Sequence, residues 1–147
     1  MSDIREQVKE YYSKMSIDNG GEMATHTCSC GTDSLPRYIR DVLAEIPEEI
    51  TSRFYGCGSP LPPALEGCTV LDLGCGTGRD VYLASKLVGP EGKVIGVDMN
   101  SDQLSFAKSH QAEMAAKFYD NVEFVESYIE DLSAISDGSV DVVISNC

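Results

Sequence analysis

Positive charge is scarce in this sequence: 11 Lys and Arg stand against 24 Asp and Glu in 147 residues, a net charge of −13. A protein that grips phosphate backbones needs clustered Lys and Arg, and an anionic membrane surface attracts the same residues. The balance therefore argues against nucleic acid and against a membrane as partners. No run of about 18 apolar residues occurs, which excludes a transmembrane helix. The first residues, Met1-Ser2-Asp3-Ile4-Arg5-Glu6, carry charge where a secretory signal has its apolar stretch, so the expected location is cytoplasmic. The six cysteines, at 28, 30, 57, 68, 75 and 147, contain no Cys-x-x-Cys pair. A zinc ribbon and a thioredoxin-type motif lose their spacing, and no structural metal is expected. What is present, 42% hydrophobic and 24% charged residues, is the balance of a folded soluble domain. Such a chain can build a core without crosslinks, so the thiols are expected to be reduced. A small neutral or cationic ligand is admitted, and a monomer is expected.

Along the chain, residues 3–15 read as an amphipathic helix and 16–34 as a loop carrying Cys28 and Cys30. A helix is predicted over 36–46, opened by Ser34 and Pro36, and another over about 47–55 with Pro47 in its first turn and Glu48-Glu49 behind it. Gly56-Cys57-Gly58 ends it, and Pro60, Pro62 and Pro63 forbid regular structure beyond. The pattern then changes. Strands are predicted at 69–73, 93–98, 122–125 and 140–145, alternating with helices at 79–88 and 101–118, the latter capped by Ser101. Strands alternating with helices imply βαβ units. The expected architecture is α/β and Rossmann-like, with a parallel sheet and helices on both faces. It divides into an α-helical N-terminal extension, 1–67, and an α/β domain, 68–147. An apolar strand directly before Ser145-Asn146-Cys147 would leave a hydrophobic edge, so the chain is expected to be a fragment, truncated after its fourth strand.

The turn after the first strand, Gly74-Cys75-Gly76-Thr77-Gly78, lets a ligand approach the backbone and the helix N-terminus closely. Asp98 ends the second strand, 24 residues after Gly74, where an acid accepts bonds from ribose hydroxyls. Strand, glycine turn, helix, strand and acid in this order point to a nucleoside cofactor. Arg79 stands where the dinucleotide fingerprint has its third glycine, which disfavours a dinucleotide.

The run Leu71-Asp72-Leu73-Gly74-Cys75-Gly76-Thr77-Gly78 resembles motif I of the S-adenosylmethionine-dependent class I methyltransferases. That resemblance implies a cofactor loop over 72–78, with Asp72, Gly74, Gly76 and Gly78, and Asp98 at the ribose. It also implies Met99 against adenine, Ile129-Glu130 in the adenine pocket and Asn146 facing the cofactor. Further stretches resemble the arsenic(III) (arsenite) methyltransferases: Arg53-Phe54-Tyr55-Gly56-Cys57-Gly58, Cys28 29 residues before Cys57, Ser145-Asn146-Cys147, Pro36-Arg37-Tyr38-Ile39-Arg40 and Gly96-Val97-Asp98-Met99. The similarity runs from about residue 8 to 147. It implies arsenite methylation from S-adenosyl-L-methionine, with arsenic held by the thiolates of Cys28, Cys57 and Cys147 and an external thiol reductant of glutathione or thioredoxin type. The family also uses a cysteine beyond residue 147. The chemistry agrees: trivalent arsenic is soft and selects thiolates, three of which leave its lone pair free. Arsenite is uncharged at neutral pH, so an acidic protein does not repel it.

Other readings stay open at this point: a methyltransferase of another small molecule, or a fragment that binds arsenic or cofactor without turnover. Cys75 reads as structural and Cys68 as a bystander. Cys30 is a spare thiol or a disulfide partner in turnover. His26 and His110 read as surface residues, and Arg79 and Asp80 as stabilisers of the loop–helix junction. Tyr55 either touches the cofactor or substrate through its hydroxyl or covers a helix end.

Overall fold

A computed structural model describes residues 3–17, 34–54 and 56–146. Helix α1 spans Ile4–Ile17, α2 Arg37–Leu43 and α3 Glu48–Thr51. The α/β part follows as β1 Thr69–Leu73, α4 Arg79–Val88, β2 Lys93–Asp98, α5 Ser101–Ser109, α6 Gln111–Lys117, β3 Val122–Glu126 and β4 Val142–Ser145. All three ladders are parallel and the strand order is β3-β2-β1-β4. From β1 the chain steps outward through β2 and β3, then returns to lay β4 on the other side of β1. The order thus reverses between β1 and its neighbours. Open α/β sheets bind ligands in the crevice at the carboxyl ends of such strands.

Alternation along the strands sorts two cores. Val70, Val94, Phe124 and Ile144 point to one face and pack with Val81, Leu83 and Ala84 of α4, Leu104 and Ala107 of α5, and Ile39 and Val42 of α2. Tyr82 ties α4 to α5, its hydroxyl donating to the Ala107 carbonyl at 2.5 Å and its ring meeting Phe124 edge-on at 5.9 Å. Leu71, Ile95 and Val97 point the other way, where Leu132, Ile135 and Val140 of the β3–β4 connection cover them. Among the described residues, the helices expected on both faces therefore supply the core of one face, and a non-helical connection covers the other.

The departures from the predicted boundaries have local causes. The predicted helix over 47–55 is regular only to Thr51, because the Thr51 and Ser52 hydroxyls donate to the Glu48 and Glu49 carbonyls and loosen the turn. The predicted 101–118 helix breaks at His110, which takes φ −94°, ψ −3° and bonds its N–H to Ala107 rather than one residue earlier. His110 is not the surface residue expected: its side chain is 14% exposed and its ring lies 5.0 Å from that of Phe106. Ser101 is not the cap of α5. Asn100 is, accepting from the N–H groups of Asp102 and Gln103. The fourth strand opens at Val142 rather than residue 140, because the Asp141 carboxylate takes the first ladder donor, the Thr69 N–H, at 2.8 Å.

Candidate active site

At the carboxyl edge of the sheet lies a cavity of about 360 Å³, a volume suited to a small organic ligand. Asp72 and Gly74 at the end of β1, Asp98 and Met99 at the end of β2, and Asn146 after β4 all line it. These ends meet because parallel strands in register finish together: Leu73 pairs with Val97 on one side and Ser145 on the other.

The glycine turn is built by backbone conformation. Gly74, Gly76 and Gly78 have φ of 75°, 56° and 90°, left-handed values that other residues adopt with strain. They do different things. A Cβ on Gly74 would meet open space, so this position is a free cradle for a ligand. Gly78 does not line the cavity; its bare Cα lies against Phe124, Tyr82 and Ala107 and lets α4 start close to the sheet. Asp98 fastens the turn, its Oδ2 accepting from the Gly76 N–H at 2.8 Å and its Oδ1 from the Asn100 N–H at 2.8 Å. A carboxylate offers about four lone-pair sites, so two remain for ligand hydroxyls. Ile129 and Glu130 sit on the exposed rim of the same cavity.

Asp72 is 3% exposed at the cavity wall. Burial, with the carboxylates of Asp80 and Asp98 nearby, pushes its pKa up to about 8, and Arg79 pulls the other way. Burial also raises Asp80, against its ion pair with Arg79 at 2.9 Å. The buried Cys75 thiol is pushed well above its ordinary value, first by desolvation and then by Asp72 and Asp98. Its Sγ would lie 2.9 Å from a Cβ on Gly96, so it packs into the sheet rather than standing ready as a nucleophile. Cys68 is half-buried against the core.

Of the three candidate arsenic ligands, Cys57 is described; Cys28 and Cys147 lie outside the described residues, as do Cys30, His26 and Tyr55. Cys57 does not line the cavity, but its surroundings do. Its N–H donates to Asn146 Oδ1 at 3.0 Å, and Asn146 Nδ2 donates back to the Cys57 carbonyl at 3.2 Å. Asn146 also donates to Asp80 Oδ2 at 3.3 Å. Arg79 donates to the Gly58 carbonyl at 2.6 Å and lies over the Phe54 ring. Arg79 and Asp80 thus brace the helix start, as the sequence suggests, and also hold the cysteine-bearing segment.

Sequence reasoning missed several wall residues. Asn100 and Gln103 are buried there, and an Asn followed three residues later by Gln is a helix-start signature that could have found them. Ile4, Val8 and Tyr12 of α1 also line the cavity, at four-residue spacing. The stripe is legible in the sequence, but nothing local says what it covers. Hydrogen bonds tie α1 over the rim: Tyr128 donates to Glu6 at 2.7 Å and Asn100 to Ser13 at 3.1 Å.

Comparison with known proteins fits this geometry. The chain is 43% identical to an arsenite methyltransferase of Aquipseudomonas alcaligenes over 98% of its length, covering 42% of that protein. It is 39% identical to an arsenite methyltransferase of Mus musculus over 99% of its length, covering 40% of that protein. Among solved structures, an arsenic(III) S-adenosylmethionine methyltransferase from Chlamydomonas reinhardtii superposes with a TM-score of 0.73 at 47% identity, over 76% of this chain and 39% of that one. The chain therefore spans about two-fifths of the length of the curated relatives it matches. The methyltransferase-domain family matches residues 64–147, from just before β1 through β4, and the chain belongs to that family.

Proposed function

We propose that this chain is the cofactor-binding and partial substrate-binding portion of an arsenite methyltransferase that uses S-adenosyl-L-methionine. The observation that carries the reading is the pairing of Cys57 with Asn146. It fixes a thiol-bearing segment to the carboxyl edge of the sheet, directly beside the cavity. The relatives' names, and their similarity across the cysteine-bearing extension as well as the methyltransferase domain, support the same substrate.

The residues present suit such a cofactor. Gly74 leaves room at the backbone, Asp98 has lone pairs left for ribose hydroxyls, and Asp72 gives up its proton more readily beside a cation. When bound, S-adenosylmethionine supplies an electrophilic methyl on a sulfonium that leaves as a neutral thioether. In the proposed reaction the thiolates of Cys28, Cys57 and Cys147 would hold arsenite with its lone pair free to accept the methyl. The carbon–sulfur bond breaks as the carbon–arsenic bond forms, and arsenic passes formally from trivalent to pentavalent. An external thiol reductant, two molecules of a glutathione-type monothiol or one thioredoxin-type dithiol, returns it to the trivalent state and is itself oxidised to a disulfide. The nucleophile is a lone pair, so no general base is required. The protein contributes placement and exclusion of water.

The test is a titration of the reduced chain with arsenite, with thiols counted by alkylation and intact mass. The expected result is loss of three reactive thiols at one equivalent, mapped to Cys28, Cys57 and Cys147. Unchanged alkylation of all three in a folded chain would overturn the assignment.

A further inference from the structure

The described contacts of Asn146 run to Cys57 and Asp80, which is an unusual use of a residue at the mouth of a cofactor cavity. Its single amide touches three elements: it extends from β4, pairs both ways with the backbone of Cys57 across 89 residues of sequence, and donates to Asp80 in the first turn of α4. Asp80 is 4% exposed and already receives Arg79 through Nε at 3.1 Å and Nη2 at 2.9 Å. Arg79 in turn reaches the Gly58 carbonyl and stacks on Phe54. Phe54 and Gly58 are thereby held, on either side of Cys57, by the two residues that follow the glycine turn. Gly56 shows how close the fit is. A Cβ there would fall 2.7 Å from Asn146 Oδ1 and 2.5 Å from Phe54 Cζ.

We infer that Asn146, with Asp80 and Arg79, is a positioning clamp for Cys57: it sets where the thiol stands relative to the cofactor cavity, and the helix that follows the cofactor loop sets the clamp. The inference rests on the reading of Cys57 as a substrate thiol. The physical case is that a cysteine on a proline-flanked segment outside any helix or strand has no ladder to fix it. Two reciprocal amide bonds fix both the N–H and the carbonyl of the residue, which removes the backbone rotations that would swing its side chain. Asp80 anchors the amide in the correct flip, because only the NH₂ end can donate to a carboxylate. The same carboxylate is buried and paired, so it transmits its position from α4 rather than following solvent.

The experiment uses the full chain, reduced, with iodoacetamide alkylation rates read per cysteine by peptide mass spectrometry. Asn146→Ala should raise the rate at Cys57 about five- to tenfold and leave the core thiol Cys75 unchanged. Asn146→Asp keeps the acceptor for the Cys57 N–H, loses both donations and meets Asp80, so it should give a smaller rise and serves if the alanine variant folds poorly. One equivalent of arsenite should protect Cys57 in the native chain, and Asn146→Ala should require about tenfold more arsenite for equal protection. A parallel rise at Cys75 would signify general loosening and overturn the clamp, as would an unchanged rate at Cys57. A selective rise at Cys57 without arsenite protection in the native chain would uphold the clamp and overturn the substrate-thiol reading instead.

Discussion

The two sides of the candidate site are built in different ways. The cofactor side is assembled from residues 72–103, a single stretch in which strand ends, a left-handed glycine turn and a capped helix follow one another. Its links stay within that one stretch: Asp98 to Gly76 spans 22 residues and Asp98 to Asn100 spans two. The thiol side is the Cys57-bearing stretch after α3; its described residues Arg53, Phe54 and 56–58 lie outside any helix or strand, and it is held from other elements, by Arg79 of α4 at 21 residues and Asn146 after β4 at 89. The first region is fixed by the fold itself and the second by a few polar bonds laid upon it. Damage to the cofactor side should therefore register in stability and ligand affinity, and damage to the thiol side chiefly in the chemistry of Cys57.

The largest expected effect is on the cofactor side. Asp72 keeps its proton in the native state up to about pH 8, whereas the unfolded chain releases it near its ordinary value of 3.8. Between these values the native state binds more protons, so this group destabilises the fold as pH rises, and the loss is complete above about pH 8. The shift corresponds to a loss on the order of 5 kcal/mol. Asp72→Asn keeps the shape and removes the titration. Its melting temperature relative to the native chain should climb by roughly 10–15 °C between pH 5 and pH 8.5, by the usual scaling for a domain of this size. A difference that does not change with pH would show that Asp72 is ionised in its niche throughout.

How much of this was legible follows the same division. The order of strands and helices from 69 to 126 reads directly from alternating apolar runs and the glycine turn, and Asp98 follows from its place at the end of β2. Ser101 was the wrong cap because Ser and Asn both suit that position, and only the packed helix shows which side chain reaches the N–H groups. The break at His110 hides inside a periodic stretch, since a bridge-region residue leaves the apolar pattern intact. On the thiol side the cysteines are visible as letters, but the role of Asn146 is not. A bond spanning 89 residues has no local signature, and its motif suggested a cofactor contact. The stripe of Ile4, Val8 and Tyr12 is invisible as a cavity wall for the same reason.

An intermediate effect comes from the fastening of the turn. Asp98→Asn replaces one of two acceptors of backbone N–H groups by a donor, leaving either Gly76 or Asn100 facing an amide NH₂. The turn loses its tie, and a bound nucleoside loses a charged acceptor, together about 2–3 kcal/mol. Calorimetric affinity for S-adenosylhomocysteine should fall roughly 30- to 150-fold, while arsenite protection of Cys57 stays within about twofold of the native chain. A matching loss on both measurements would break the separation of the two regions.

The smallest effect on the fold, and the sharpest on the comparison, is expected from Gly56→Ala. The added methyl cannot be accommodated between Phe54 Cζ and Asn146 Oδ1 as they stand. Both obstacles are atoms of half-buried side chains, and Phe54 can turn outward at the expense of its contact with Arg79. Relief by movement of these side chains leaves the strands and the body of α4 in place, so unfolding stability should change by no more than about 1 kcal/mol, the centre of the range for single substitutions. The Asn146 bonds to Cys57 should nevertheless lengthen or break. Urea unfolding and cofactor-analogue affinity would then stay near native values while the Cys57 alkylation rate rises several-fold. A loss of stability comparable to that of a core glycine, with alkylation unchanged, would mean that residues 53–58 are part of the rigid sheet edge and that the two regions are one.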